Sequence, residues 1–416
     1  MNKNVLLKFA VWARRALLEL IRRRALEYAA PSGSGKGHGF DAFGRAPADE
    51  EPRRRELAEV IARRGVERAA EEAACAWFLR LAALRYMELS GALPARVFSD
   101  KSGRFSPGSL RSVTRLNLPG LGRVLSADPQ TDGGRAPLRH LLALCRALSG
   151  PLPELFGSPW DWVELLLPGE ILEPGGVADR MVSDIPEADW KDVRVLGWLY
   201  QFYNTEPKKA VLEGLRRNEK ISRENIPAAT QLFTPDWIAR YLVENTLGRL
   251  WLESCPEGRL KAKWAYYIDL RGQAPDTGEN GRATCPPLAS PEAIRLIDPC
   301  AGSGNILVCA FDVLLDIYES TGYSSREAAR LILEKNLFGL DIDPRAARLA
   351  AFVLKMKALR HDPSLLARPP RLPICHPAGW EPGEAFGSLA RPEEYPEEPP
   401  EGDLAPEENA FAGGGR

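Results

Sequence analysis

A chain of 416 residues is long enough for two or three domains, each with its own core. With 44% hydrophobic and 27% charged residues it has the make-up of an ordinary globular protein, and no apolar run reaches the roughly 18 residues of a membrane span. A formal net charge of -1 gives no general attraction to nucleic acid, and seven cysteines with no Cys-x-x-Cys pair argue against a disulfide framework or a structural metal and for free thiols in a reducing cytoplasm.

In chain order, Met1 to Leu20 is interrupted by Lys3, Lys8, Arg14, Arg15 and Glu19, so it is neither a signal peptide nor a membrane helix. Val5, Phe9, Trp12, Ala16 and Leu20 form one stripe of a predicted amphipathic helix. Residues 31–52 read as a flexible linker. Within it Gly33-Ser34-Gly35-Lys36-Gly37 imitates a phosphate loop, but Ala30 stands where that loop needs a glycine and Gly37 where a hydroxyl must hold magnesium. Arg53 to about Leu89 is predicted helical, with Leu57, Val60, Ile61, Trp77, Phe78, Leu81 and Leu84 as apolar positions, and a second helix runs from Pro137 to Leu148. The clusters Arg22-Arg23-Arg24, Arg53-Arg54-Arg55 and Arg63-Arg64 read as solvated helix faces, with phosphate contact as the alternative. Asp189 to Tyr203 is expected to be a helix whose aromatic face (Trp190, Trp198, Tyr200, Phe202, Tyr203) is core rather than a base-stacking platform. Cys375-His376 is the one neighbouring pair of potential metal ligands, with no further ligand at metal spacing.

The strongest pattern lies between Ile294 and Leu359. Ile294 to Asp298 is a short apolar strand ending in an acid, Pro299-Cys300-Ala301-Gly302-Ser303-Gly304-Asn305 is a turn of small residues, and Ile306 to Tyr318 is an apolar-periodic helix. Strand, small-residue loop and helix make the first unit of a doubly wound sheet, which binds ligands at the carboxyl ends of its strands. Gly302 and Gly304 leave the backbone open to a ligand, with loop amides and the helix N-terminus as donors. A second unit follows: a helix over Ser325 to Lys335, a strand over Leu337 to Ile342, and a helix over Pro344 to Leu359 with proline in its first turn. Asp341 ends the second strand, where a carboxylate can accept from both hydroxyls of a ribose.

A nicotinamide cofactor requires a third glycine at position 307, to admit a pyrophosphate; Leu307 stands there. A nucleoside cofactor without phosphates does not need it. S-adenosylmethionine is such a cofactor, with a ribose for Asp341 and a charged amino-acid end for the loop, where Asp298 either braces the loop or accepts from the ammonium.

Asp298-Pro299-Cys300-Ala301-Gly302-Ser303-Gly304 resembles motif I of the amino-group DNA methyltransferases, and Gly339-Leu340-Asp341-Ile342-Asp343-Pro344 resembles their motif II. Gln231-Leu232-Phe233-Thr234-Pro235-Asp236-Trp237-Ile238 is similar to motif X, which in that family opens a helix leading toward the cofactor loop. The order X, I, II is that of the gamma subgroup, in which the catalytic motif follows. Residues 1–28, Ala76 to Met87 and Leu196 to Tyr203 resemble the PglX family, the adenine-specific methyltransferases of BREX phage-defence systems. The resemblance implies S-adenosylmethionine as cofactor, double-stranded DNA as substrate, other BREX proteins as partners and a cytoplasmic setting. Mapped onto this chain, it places Phe233, Thr234 and Pro235 of motif X at the cofactor, together with Asp298, Pro299, Ala301, Gly302, Gly304 and Asn305 of the first loop and Asp341 and Ile342 of the second.

The implied fold is an incomplete Rossmann-like methyltransferase domain preceded by a mainly helical domain. Its parts are a helical domain over 1–185, a helical segment with motif X over 186–253, an irregular connection over 254–293, a cofactor-binding half-domain over 294–376 and an acidic, Pro/Gly-rich tail over 377–416, expected to be disordered.

Transfer to adenine N6 needs acceptors for the amine hydrogens and an aromatic ring to stack on the flipped base, which the family supplies as Asn/Asp/Ser-Pro-Pro-aromatic. No such motif follows Leu359: Pro369-Pro370 follows Arg368, Pro399-Pro400 follows Glu398, and no aromatic residue comes directly after either pair. Pro286-Pro287 and Ser158-Pro159-Trp160 lie before motif I. No catalytic residue is therefore assigned. Two functions remain open: part of an adenine-N6 methyltransferase, or a catalytically inactive cofactor-binding or defence-complex module. Transfer to cytosine N4 would show the same three motifs.

Overall fold

The computed structural model describes residues 1–29, 50–116, 118, 121, 136–158, 161–222, 225–255, 259–269, 288 and 290–376. Most of the predicted linker, most of the irregular connection, the tail from 377, Gly33 to Gly37, Pro159-Trp160 and Pro286-Pro287 lie outside the described residues. What is described is mainly helical with one small parallel sheet, and it falls into two units, Met1–Lys220 and the residues from Ile221 onward.

The first unit contains α1 (Lys3–Ala29), α2 (Glu50–Arg64), α3 (Val66–Ser90), α4 (Ala136–Ser149), α5 (Val177–Asp184), α6 (Val195–Tyr203) and α7 (Thr205–Arg216). The buried stripe of α1 is Leu6, Phe9, Ala10, Ala13, Leu17, Ile21 and Ala25. Of the expected stripe only Phe9 belongs to it; Val5, Trp12, Ala16 and Leu20 are half-buried on its flank. The partner explains the rotation. α1 packs on α3, whose buried face begins with Ala69, Ala70, Ala73 and Ala74, and small residues on both helices let the backbones approach closely. The predicted helix over 53–89 is two helices, because Gly65 takes a φ of 81° between them. The expected helix over 189–203 is likewise divided into a tight turn at Glu187–Lys191 and α6. Its aromatics are core: Trp190, Tyr200 and Tyr203 are buried, and Trp198 stacks on Phe202 with centroids 5.4 Å apart. α6 packs on α1 and so lies in the first unit, which runs to Lys220.

The arginine clusters find carboxylates inside this unit. Arg22 pairs with Glu67 at 2.6 Å, Arg23 with Glu170, and Arg64 with Glu72 at 2.7 Å. Arg53 is 4% exposed and lies 3.4 Å from Glu164, which also receives Arg146 at 2.6 Å. Four of the clustered arginines thus have an ionic partner within the unit.

The second unit begins with the motif X helix α8 (Asp236–Asn245) and α9 (Leu247–Ser254). Then follow β1 (Leu296–Asp298), α10 (Asn305–Ser320), α11 (Ser325–Leu331), β2 (Leu337–Leu340), α12 (Pro344–Leu359) and β3 (Ile374–Cys375). The strands lie in the order β1-β2-β3, all parallel, with Asp298 opposite Gly339 and Gly339 opposite Ile374. Crossover helices α10 and α12 provide the apolar cover that a parallel sheet requires. α8 packs on α10, so the motif X helix shares the unit of the two loops, which begins at Ile221.

Asn336 fixes the sheet in place. It closes a π-turn at Ile332–Asn336, where a continuous helix to Lys335 was expected, and is fully buried. Its Nδ2 donates to the carbonyls of Pro291 and Ile294, each at 2.9 Å, and its Oδ1 accepts from the Tyr318 hydroxyl at 2.9 Å. The approach to β1 is thus tied to the approach to β2. Asn336→Ala is expected to cost about 3 kcal/mol, since three buried groups lose their partner. Urea unfolding followed by circular dichroism measures this; a loss below about 1 kcal/mol would show that the ties are dispensable.

Candidate functional site

The site lies where β1 and β2 end side by side. The first loop leaves β1 at Asp298 and enters α10 at Asn305, and the second leaves β2 at Leu340 and enters α12 at Pro344. Asp341 is therefore the first residue after the strand rather than within it. Its carboxylate reaches across: Oδ2 accepts from the Gly302 amide at 2.7 Å and Oδ1 from the Asp343 amide at 2.8 Å. The carboxylate of the segment that resembles motif II and the glycine bend of the segment that resembles motif I are joined directly. A carboxylate oxygen has two acceptor positions, so each oxygen of Asp341 keeps one for a ligand hydroxyl. Burial raises the Asp341 pKa, against the lowering effect of the two amides.

The first loop spends more of its polar groups on itself than its glycines suggest. The Ala301 amide donates to the Leu340 carbonyl at 2.8 Å, the Gly304 amide to the Ala301 carbonyl at 2.8 Å, and the Cys300 amide to Asp298 Oδ1 at 3.1 Å. With Gly302 committed to Asp341, four loop amides already have acceptors within the protein. The two glycines also differ. Gly302 has a φ of 55° and open space where a side chain would stand, with only the Leu232 carbonyl 4.0 Å away. Gly304 has a φ of 82°, and its missing Cβ would come within 3.1 Å of the Ala350 Cβ on α12. Gly302 can admit a ligand; Gly304 serves helix packing. Ala301 is buried beside Gly339 and builds the loop from beneath.

Leu307, which argued against a pyrophosphate site, is fully buried, and a Cβ on Gly339 would sit 3.1 Å from its Cδ1. The glycine that permits close helix-to-strand approach therefore stands on β2 instead of on the helix. Pro299 and Ile342 are half-buried in their loops.

Motif X reaches the same place. Phe233 is buried, Thr234 and Pro235 are half-buried, and the Thr234 carbonyl accepts from Asn305 Nδ2 at the start of α10. The structure thus brings the nominated residues of motif X, the first loop and the second loop into one cluster. It adds His376, whose Nδ1 lies 3.1 Å from the Asp341 carbonyl. Sequence reading weighed His376 only as a metal ligand; its position just after β3 was the available signal.

Asp298 is the most perturbed acid here. It is 7% exposed, and its Oδ2 has no hydrogen-bond partner. Burial pushes its pKa up to about 6, and the neighbouring Asp341 charge adds to this against the lowering effect of the Cys300 amide. A buried carboxylate with one oxygen unsatisfied is what a cationic ligand would complete. Among the described residues no group of three His, Cys, Asp or Glu side chains could hold a metal, and no helix is long and apolar enough to cross a membrane.

The adenine-specific methyltransferase BrxX of Escherichia coli O9:H4 (strain HS) is 41% identical over 336 residues, 79% of this chain and 27% of that protein. The adenine-specific methyltransferase PglX of Lacticaseibacillus casei (strain Zhang) is 35% identical over 404 residues, 87% of this chain and 33% of that protein. The chain is a homologue of the PglX-type adenine-specific methyltransferases. It spans between about a quarter and a third of the length of these two relatives. A putative type II restriction enzyme and methyltransferase from Methanocaldococcus jannaschii is 29% identical over 131 residues, 28% of this chain and 11% of that protein. No protein-family model matches the chain.

Proposed function

We propose that this chain is the S-adenosylmethionine-binding part of a site-specific, BREX-type DNA adenine-N6 methyltransferase, built on half of a Rossmann-like sheet. The carrying observation is the direct bond between Asp341 and the Gly302 amide, which sets a carboxylate beside a side-chain-free bend. Asp341 receives the ribose hydroxyls, Gly302 gives backbone room, Asp298 meets the ammonium of the amino-acid end, and Phe233 to Pro235 close that end. Bound there, the cofactor supplies an electrophilic methyl group. The adenine assignment rests on the relatives' names, since the residues of this site suit cytosine-N4 transfer equally.

Nothing in these 416 residues offers the Pro-Pro-aromatic motif that would hold a flipped adenine, so methyl transfer to double-stranded DNA uses polypeptide beyond them. The role of this part is to bind the cofactor and to dock with the remainder and with other defence proteins. Isothermal titration tests the reading. S-adenosylmethionine and S-adenosylhomocysteine are expected to bind at micromolar or weaker affinity, and NAD not at all. A folded chain that binds neither sulfur nucleoside rejects the reading. In a filter assay with labelled cofactor the chain alone is expected to leave DNA unmethylated; turnover would show that the catalytic group is already here.

A further inference from the structure

The near-zero net charge of the chain hides an asymmetry. Residues 1–220 hold 34 Lys and Arg against 28 Asp and Glu, and the remaining residues hold 21 against 28. Some basic groups of the first unit are spent on internal ion pairs, as at Arg22, Arg23, Arg53 and Arg64. Residues 96–116 differ. They contain five basic residues and one acid. Lys101, Arg104, Arg111 and Arg115 are exposed, and among the described residues none of these four side chains has an ion pair or a hydrogen bond. Nearby carboxylates are already committed. Asp100 Oδ1 accepts from the Ser102 hydroxyl at 2.6 Å and from the amides of Ser102 and Arg104 at 2.8 and 3.0 Å, so it shapes the turn and offsets only part of the Arg104 charge. Glu187, beside Gly103, receives Arg96 at 2.6 Å.

The backbone beneath the four cations is anchored. Ser99 and Phe105 bridge in antiparallel fashion, so residues 99–105 form a short hairpin that carries Lys101 and Arg104. Ser99 is fully buried, and its hydroxyl donates to Glu88 at 2.6 Å. Pro107–Arg115 winds into a 3₁₀ turn that packs on α4 through the fully buried Leu110 and Val113. The Ser112 hydroxyl donates to the Arg96 carbonyl at 2.7 Å and ties this turn to the base of the hairpin. None of the large apolar side chains of 96–116 is exposed. What faces outward is cationic, with the hydroxyl-bearing Ser102 and Thr114 between.

A partner for such a face carries repeated negative charge and needs no apolar surface. A phosphodiester backbone has that chemistry, and three of the four cations are guanidinium groups, whose forks match phosphate oxygens. We propose that the hairpin 99–105 and the turn Pro107–Arg115 form a phosphate-contacting face for duplex DNA, with Lys101, Arg104, Arg111 and Arg115 as the contacts. Contacts of this kind hold and orient a duplex without reading its sequence. The face uses no residue of the nucleoside site and rests on the reading above only for the choice of DNA among polyanions.

The test is fluorescence anisotropy of the full chain with a labelled duplex of about 25 base pairs and random sequence, from about 50 to 200 mM salt. The wild-type chain is expected to bind at micromolar Kd or weaker, with a log–log salt slope of about -3.6 or steeper for four phosphate contacts. The quadruple variant Lys101→Gln, Arg104→Gln, Arg111→Gln, Arg115→Gln is expected to bind at least about 10-fold more weakly and to lose about 3 of that slope. Since none of the four has a partner to lose, the variant is expected to melt within about 2 °C of wild type and to keep its S-adenosylmethionine affinity. Arg22→Gln with Arg23→Gln removes cations that are already paired, and is expected to change duplex affinity less than about threefold. No duplex binding by the wild-type chain at the lowest salt overturns the inference, and so does a quadruple variant with unchanged affinity and slope. An equal loss in the Arg22 and Arg23 variant means that only net charge is sensed, and overturns it too. Tighter binding to phosphatidylglycerol vesicles than to duplex, weakened in the quadruple variant, gives the face to a membrane and overturns it. All these outcomes leave the nucleoside site standing, which fails only if S-adenosylmethionine does not bind.

Discussion

Asp341→Ala is expected to weaken S-adenosylmethionine binding on the order of 100-fold while the chain stays folded. Two hydrogen bonds from ribose hydroxyls to a charged acceptor contribute about 1.5 kcal/mol each, and together they amount to about two decades of affinity. Part of the loss arises without the ligand, because Asp341 also holds the Gly302 and Asp343 amides. Asp341→Asn separates the two effects. It keeps one acceptor oxygen, offers a donor in place of the other, and is expected to lose about 10-fold. Titration calorimetry at constant pH reads both. A change of less than about threefold in Asp341→Ala would remove the ribose from this position and with it the proposed orientation of the cofactor.

The second large effect has opposite signs for stability and for binding. In the folded chain Asp298 takes up its proton at about 6, above the usual range for an aspartate. Between pH 4 and 6, roughly, the folded state thus binds more proton than the unfolded state, and stability falls as pH rises through that window. At neutral pH the unpaired charge is a cost to the free protein, on the order of 3 kcal/mol. Asp298→Asn removes it, keeps an oxygen for the Cys300 amide, and is expected to raise the melting temperature of the free chain at pH 7 by several degrees. The same change should weaken binding of a cationic ligand. In the wild-type chain affinity should drop about 10-fold from pH 7.5 to 5 as the carboxylate is protonated. Asp298→Asn should flatten most of that dependence. A variant that is both less stable and equally pH-dependent would mean that Asp298 only braces the loop.

The second unit was far more legible in the sequence than the first. Its period changes from strand to helix are abrupt, and the helix over Pro344–Leu359 matches its expected bounds. The strand ending at Asp298 was also foreseen, because an apolar run closed by an acid and small residues has few other readings. α1 was located but its buried face was misjudged: weighting large apolar residues overlooks Ala10, Ala13 and Ala25, whose value lies in how close they let α3 come. The π-turn before β2 carries no local signature, since it is set by Asn336 reaching carbonyls more than forty residues away. At the site, composition identified the residues but not their division of labour. Gly302 and Gly304 look equivalent in the motif, yet one faces open space and the other Ala350. Which glycine does which depends on α12, and no spacing rule within the loop encodes that.

The contact between Gly302 and Asp341 also makes the molecule its own indicator. An amide proton given to a carboxylate resonates at low field, and its shift moves whenever the charge or the other bonds of that carboxylate change. Glycine nitrogens occupy a sparse region of a correlation spectrum, so the Gly302 signal can be followed in a protein of this size. Occupancy of the proposed nucleoside site, titration of the acids around it and loss of the loop on warming would all be recorded by that single resonance, with no label on the ligand.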